Sequence, residues 1–509
     1  MRDMNTAPQS IEQQFQAQPS LAEDRRVQSG CLTFDYARHR IDANNLNKQL
    51  DRLNEPTFIK AKHALFTGHS VNTTEGRPAL HSLLRANSCE YGAQDLKEKF
   101  KKVTEEKQRV YDFVKRIRSG AYPRNSEITD IVNIGIGGSD LGPRMLVNTF
   151  GNASSPNIRY HAISNIDPAA WQRLRATLEP EKTLIVLVSK SFKTQETLTN
   201  GVLAKQWLES KLSNQTNEHL FAVTANPERA EQFGVQKSHI LTLWDWVGGR
   251  FSIWSAVSFA CMCAIGIDVF EHFLHGAEQT DQHFLNSQLA ENIPVLMACL
   301  TDYYRNEEGL QTHAVIPYAE HLSDLPAYLQ QLEMESLGKR VAQDGSSLEI
   351  DTGAILWGQS GTNGQHAFHQ LLHQGTTAVP VDFILVRRGP LGFEEQQQML
   401  IANCLAQADA LAFGEKHADP HQQIPGNKPV SIIGLDALTP DAIGALIATY
   451  EHKVFTLGYL WQINAFDQYG VELGKRLCNQ YLDCLNGKQA TVPPSIMPWI
   501  RWVRGESKT

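Results

Sequence analysis

The sequence predicts an α/β protein: two lobes of mainly parallel sheet flanked by helices, with helical extensions at the N- and C-terminal ends. Three observations carry that expectation. At 509 residues the chain exceeds what one hydrophobic core supports, so two large units are the simplest division. Two series of short, β-branched apolar runs occur, separated by helix-length sequence. The runs are continuous rather than alternating, as in parallel strands covered on both faces.

Residues 1–105 alternate polar and apolar at helical spacing with few strand signals, and are expected to form a helical N-terminal extension. Segments 44–64 and 96–118 read as helices. Between them the polar connection Asn72-Thr-Thr-Glu75-Gly-Arg77-Pro78 leads into a short helix over 79–85. The first strand series, 131–136, 158–163, 183–188, 220–224 and 240–243, belongs to a lobe expected over 106–275. The second, 313–317, 354–357, 380–386 and 430–435, belongs to a lobe over 276–455. The apolar stretch 251–269 and the helix-like 293–304 bridge the two series. Residues 456–509 return to helix and end in the polar tail GESKT.

The net charge of −8 excludes the basic surplus of a typical nucleic-acid binder, yet leaves room for a local phosphate pocket. Eight cysteines at 31, 89, 261, 263, 299, 404, 478 and 484 match neither a disulfide framework nor a zinc CxxC pair, so reduced, mostly buried thiols are expected. The start, MRDMNTAPQSIEQQFQAQPS, lacks a signal-peptide apolar run, and no apolar stretch is long enough to span a membrane. Cytoplasm is the expected location.

Four segments are suited to an anion and to proton transfer. Gly135-Ile-Gly137-Gly138-Ser139-Asp140 follows the first run of its series and offers close backbone approach before a helix start. A tight strand–helix turn would look the same, and the spacing departs from G-x-G-x-x-G because Asp140 stands at the third glycine. Ser189-Lys190-Ser191-Phe192-Lys193-Thr194 places hydroxyls and lysines at the mouth of a parallel sheet. That suits a phosphate, or equally an ordinary Ser/Thr-rich helix start. Trp244-Asp-Trp-Val-Gly-Gly249-Arg250 sets an arginine after paired glycines, for a developing negative charge or for a structural ion pair. Gln331-Leu-Glu-Met-Glu335-Ser-Leu-Gly338-Lys339, followed by Gly361-Thr-Asn-Gly-Gln365-His366, supplies a carboxylate and a histidine. His366, His369 and His373 share a helical face, but no metal motif accompanies them and no metal is expected.

Taken together, NIGIGGSDLGP, SKSFKTQET, WDWVGGRFS, MESLGK, GTNGQHAF and FDQYGVELGK, in that order, resemble the glucose-6-phosphate (phosphoglucose) isomerases over most of the chain. The resemblance implies two sugar-isomerase-type (SIS) lobes and the interconversion of glucose 6-phosphate and fructose 6-phosphate, a step of glycolysis and gluconeogenesis, without a cofactor. It implies Glu335 as the base that moves a proton between C2 and C1. His366 and Lys475 would assist ring opening. In the family that histidine comes from the neighbouring subunit, so a homodimer is implied. Ser189, Lys190, Ser191 and Thr194 would hold the phosphate, and Gly138, Ser139, Arg250, Gln331 and Gln468 would make other substrate contacts. Neither nucleic acid nor membrane is an expected partner.

Some positions depart from the family pattern. Ser191 stands where threonine is frequent, Leu337 where asparagine is usual, Gln359-Ser360 where Glu-Pro is frequent, and Tyr469 where tryptophan is common. Two rivals differ in class. A non-catalytic sugar-phosphate sensor would be expected to lose the base, yet Glu335 and Lys475 are present. A nicotinamide dehydrogenase would use the Gly135 turn and bind NADH.

Overall fold

The computed structural model describes residues 9–89, 93–123, 127–151, 158–488 and 492–506. The first eight residues and the last three of the tail GESKT lie outside them. Eleven strands are described: β1 (Arg26–Ser29), β2 (Leu32–Arg38), β3 (Asp130–Ile134), β4 (Arg159–Ile163), β5 (Thr183–Val188), β6 (Leu220–Thr224), β7 (Ile240–Thr242), β8 (Thr312–Tyr318), β9 (Ile355–Trp357), β10 (Val381–Arg388) and β11 (Val430–Ala437). They form two sheets. The first runs β4-β3-β5-β6-β7 and is parallel throughout. The second runs β1-β2-β11-β10-β8-β9, parallel from β11 to β9.

Both strand series therefore form as their apolar runs predict. Every residue of β3, β5 and β6 is buried, which a continuous run achieves only with helices on both faces. In the first sheet Val132, Ile134, Ile185 and Leu187 pack on Trp171, Leu208 and Leu212 of the covering helices. In the second, Ala314, Ile316 and Phe383 pack on Leu372, Cys404, Ala408 and Leu411.

The N-terminal extension differs from the all-helical expectation. β1 and β2 form a hairpin that adds antiparallel to β11. Its turn uses Gly30 at φ +55°, a conformation glycine adopts without a Cβ penalty. Leu32, Phe34 and Tyr36 alternate inward along β2. The helix expected over 44–64 is two helices, Ala43–Asp51 and Pro56–Thr67, because a proline cannot sit inside a helix but suits its first turn. The stretch 251–269 also breaks: Phe259–Ile265 ends at Gly266, φ +92°, and a second helix runs Ile267–Asn286.

One helix, Pro440–Leu460, is buried along nearly its whole length. It meets helix Ile267–Asn286 at two glycines: a side chain on Gly276 would stand 1.9 Å from the Asp441 carbonyl oxygen, and one on Gly444 1.9 Å from that of Phe273. Its buried Glu451, His452 and Lys453 need partners, because an unpaired charge in such surroundings is very costly. Arg85 bridges Glu451 (2.5 Å) and Asp281 (2.6 Å), and His452 Nε2 lies 2.6 Å from Asp281.

Residues Met1–Ala465 form one compact unit and Phe466–Thr509 a second. The second contains helices Glu472–Leu485 and Met497–Val503, joined by Arg504 donating to the Cys484 carbonyl. All eight cysteines are free thiols, five of them buried. Among the described residues no helix is long and apolar enough to cross a membrane.

Candidate active site

The chain leaves β3 through Gly135 and coils into a 3-10 turn at Gly137–Ser139. Gly137 sits at φ +61°. A side chain there would stand 2.8 Å from Gln331 Nε2, and one on Gly138 would stand 2.0 Å from the Gly249 carbonyl oxygen. These glycines let the turn press against Gln331 and the 249–250 backbone, a use unlike the pyrophosphate approach of a dinucleotide fold. Ser139 accepts a 2.9 Å hydrogen bond from Asn133 on its carbonyl. Asp140 follows, its carboxylate 3.2 Å from Arg144, and burial pushes its carboxyl above the ordinary range. A carboxylate at this helix start disfavours a second anion there.

The second turn follows β5. Ser189 is buried and donates to the Thr194 hydroxyl at 3.1 Å. Phe192 takes φ +48°, a rare conformation for a non-glycine residue, and is buried edge-on against Phe233. The 18-residue helix Gln195–Leu212 begins directly after this turn, so hydroxyls and a helix start converge, as an anion site requires. Ser191 is exposed, and its carbonyl accepts from Arg229 at 3.0 Å. Lys190 Nζ donates to the carbonyls of Asp245 (2.6 Å) and Val247 (2.8 Å). Burial, then the charge of Arg77, pushes its ammonium down to about 8. Lys190 thus braces the segment leading to Arg250. A cleft of about 860 Å³ opens beside that segment, lined by Thr224, Trp244 and Asp245.

Arg250 is 2 % exposed. Its Nε donates to Ser336 Oγ at 2.6 Å, and its Nη2 to the Ala465 carbonyl at 2.7 Å. Its Nη1 stands 3.6 Å from Glu335 Oε2. Behind it, Trp254 Nε1 donates to Glu451 at 2.8 Å, and the Arg85 guanidinium lies 4.4 Å from the Trp254 ring. The loop is therefore anchored on the buried helix Pro440–Leu460.

Glu335 ends a π-helical turn, Gln331–Glu335, that continues helix Leu325–Gln330. Gln331 Nε2 donates to Glu335 Oε2 at 3.0 Å. Gln331 and Arg250 thus hold the same oxygen, and among the described residues no hydrogen bond reaches Oε1. The side chain is 24 % exposed. The arrangement offers a fixed, partly open carboxylate beside a permanent positive charge, which suits proton abstraction next to a carbonyl.

The chain thus brings Gly138, Ser139, Lys190, Arg250, Gln331 and Glu335 into one connected set, with Ser189 and Thr194 on the adjoining turn. His366 is not joined to it. It sits exposed at the end of the 3-10 turn Gly364–His366, and among the described residues its side chain bonds none of that set. His369 Nδ1 and His373 Nε2 each lie within 3 Å of Gln407 Oε1, at 2.9 and 2.8 Å. Gln468 and Lys475 belong to the second unit, where Lys475 pairs with Glu472 at 2.7 Å. Of the departures, Leu337 is buried in the core and Gln359 is exposed.

The resemblance implies no role for the N-terminal region. Yet the charges of Arg77 and Glu75 are felt at Lys190, and Asn464 Nδ2 donates to Asn72 (2.8 Å) and Thr74 (2.5 Å) of the same stretch. The motif NTTEGRP, an acid and an arginine around a glycine, is the signal that marks it.

A family model described as phosphoglucose isomerase matches residues 35–493. The glucose-6-phosphate isomerase of Xanthomonas oryzae pv. oryzae is 45 % identical over 477 residues, covering 94 % of this chain and 92 % of that protein. A crystal structure of a glucose-6-phosphate isomerase from Chlamydia trachomatis superposes with a TM-score of 0.88 at 33 % identity, covering 98 % of this chain and 96 % of that one. A hypothetical protein from Thermus thermophilus gives a TM-score of 0.69 at 28 % identity, covering 89 % of this chain and 99 % of that one.

Proposed function

The chain belongs to the phosphoglucose isomerase family, and from that membership we propose how its own residues interconvert D-glucose 6-phosphate and D-fructose 6-phosphate. It is an aldose–ketose isomerase. The observation that carries the assignment of residues is the Glu335 carboxylate, pinned through one oxygen by Gln331 and Arg250.

Ser189, Lys190, Ser191 and Thr194 hold the phosphate, and Gly138, Ser139, Gln331 and Gln468 position the sugar. His366 and Lys475 open the ring by moving a proton from the C1 hydroxyl to the ring oxygen. Glu335 then takes the proton from C2 of the open chain and returns it to C1. Between those steps the oxygens carry the enediolate charge, and Arg250 stabilises it from a buried, fixed position. The electron pair shifts within the sugar, so atoms and electrons balance without an added oxidant or reductant. Exposure of His366 on this chain agrees with its serving the site of a partner subunit, and the active form is a homodimer in the cytoplasm. The lobes are SIS-type units over 106–275 and 276–455, with 456–509 supplying Gln468 and Lys475.

A direct product assay tests this: fructose 6-phosphate should yield glucose 6-phosphate, read by NMR, in buffer containing a chelator and no nucleotide. No product, or product only after NADH is added, would overturn the proposal.

A further inference from the structure

We propose that Lys453 and Glu333 are positioning residues for the reaction: their buried ion pair sets the register of the turn that carries Glu335. The inference rests on Glu335 being the base.

A π-helical turn is rare and local, and an α-helical register is the default for the same sequence. Something must therefore hold Gln331–Glu335 in the wider form. Glu333 and Glu335 are two residues apart, which places them on roughly opposite faces of the turn. Glu333 points inward and is 8 % exposed; its Oε1 accepts a 2.7 Å hydrogen bond from Lys453 Nζ, which is 1 % exposed. Glu335 faces the site on the other side. Fixing one carboxylate in the core therefore fixes where the other stands.

Lys453 is a rigid anchor because its helix, Pro440–Leu460, is clamped by the glycine contacts at Gly276 and Gly444. Two residues earlier on that helix, Glu451 receives the Trp254 indole N–H at 2.8 Å, and Trp254 lies four residues after Arg250. One buried helix thus carries two charges, one reaching the Arg250 loop and one reaching the Glu335 turn. Together they set the 3.6 Å approach of Arg250 Nη1 to Glu335 Oε2. The Lys453 charge also acts on Asp382, whose carboxyl is held low chiefly by His313 and in smaller part by Lys453, and its ammonium lies 5.3 Å from the Tyr450 ring.

The test compares three variants with wild type by steady-state kinetics on fructose 6-phosphate and by urea unfolding. In Glu333→Met/Lys453→Met both charges are replaced together, an exchange that buried ion pairs often tolerate. We expect the double variant to remain folded, with kcat lowered about 10- to 100-fold, since displacements near 1 Å cost about that much. KM should change less than about threefold, a split that general loss of structure would not give. Wild-type kcat in the folded double variant overturns the inference. Should that variant fail to fold, Glu333→Gln, in which Lys453 keeps Asp382 as its counter-charge, is expected to lower kcat about 3- to 10-fold at unchanged KM, and wild-type kcat there overturns it equally. Glu335→Gln is the reference: an active Glu335→Gln removes the base assignment itself, whereas an inactive one beside a fully active double variant removes only the positioning role.

Discussion

Replacing Gly138 by alanine isolates the contact on which the geometry of the site turns. The new Cβ would lie 2.0 Å from the carbonyl oxygen of Gly249, 2.2 Å from its carbonyl carbon and 2.7 Å from the amide nitrogen of Arg250. All three are backbone atoms, so no side chain can rotate away. Ordinary contact begins near 3.4 Å, so the two turns must separate by about 1.4 Å, the difference between 3.4 and 2.0. Either Arg250 withdraws from Glu335, now 3.6 Å away, or the Gly137–Ser139 turn withdraws from the site. Overpacking of this kind costs about 1–3 kcal/mol of stability, and a shift of about 1 Å in a positioned group costs about 100-fold in rate. Gly249→Ala is the control, because its Cβ would meet nothing within 4 Å. Steady-state kinetics and urea midpoints should show Gly138→Ala about 100-fold slower and less stable, with Gly249→Ala near wild type. A Gly138→Ala enzyme with wild-type kcat would refute the reasoning.

Other predictions follow from neighbouring residues. The Lys190 ammonium titrates at about 8 rather than 10.5, so the folded chain binds that proton less tightly than the unfolded one. Its penalty is fully present below pH 8 and is relieved as pH rises from 8 to 10.5, so this group makes stability rise across that window. Lys190→Met should remove a rise on the order of 3 kcal/mol between pH 7 and 10 in stability from urea unfolding, and it should raise KM for the sugar phosphate; identical pH profiles would contradict the first, and an unchanged KM the second. Gln359→Glu restores the residue frequent in the family at an exposed position, and kcat should stay within about twofold because a solvated carboxylate there adds little. A large gain would mean that residue 359 takes part in the chemistry.

How legible the molecule is in its sequence depends on how local each signal is. β5 and β6 are apolar apart from one terminal threonine each, and their assignment to a parallel sheet follows from that pattern. The β1–β2 hairpin is hard to read because its strands are short and lie among helices, although Ser29-Gly30 followed by alternating Leu32, Phe34 and Tyr36 is a period-two signal. Gly138 and Arg250 stand out through their motifs, and the fold packs Gly138 against the Gly249–Arg250 backbone. What those motifs hide is the partner: that Gly138 packs against Gly249, or that Lys190 holds two carbonyls 55 and 57 residues away. Lys453 and Glu333 were invisible for the same reason, since a lysine in a helix reads as a surface charge until the helix is found to be buried.

Glu335→Gln bears most directly on the central claim that this carboxylate moves the proton. The exchange keeps size and hydrogen-bonding reach but removes basicity. Turnover of fructose 6-phosphate by the purified variant should fall by about 1,000-fold or more, while its affinity for the sugar phosphate, measured by calorimetry, changes less than about threefold. Turnover within tenfold of wild type would contradict the account.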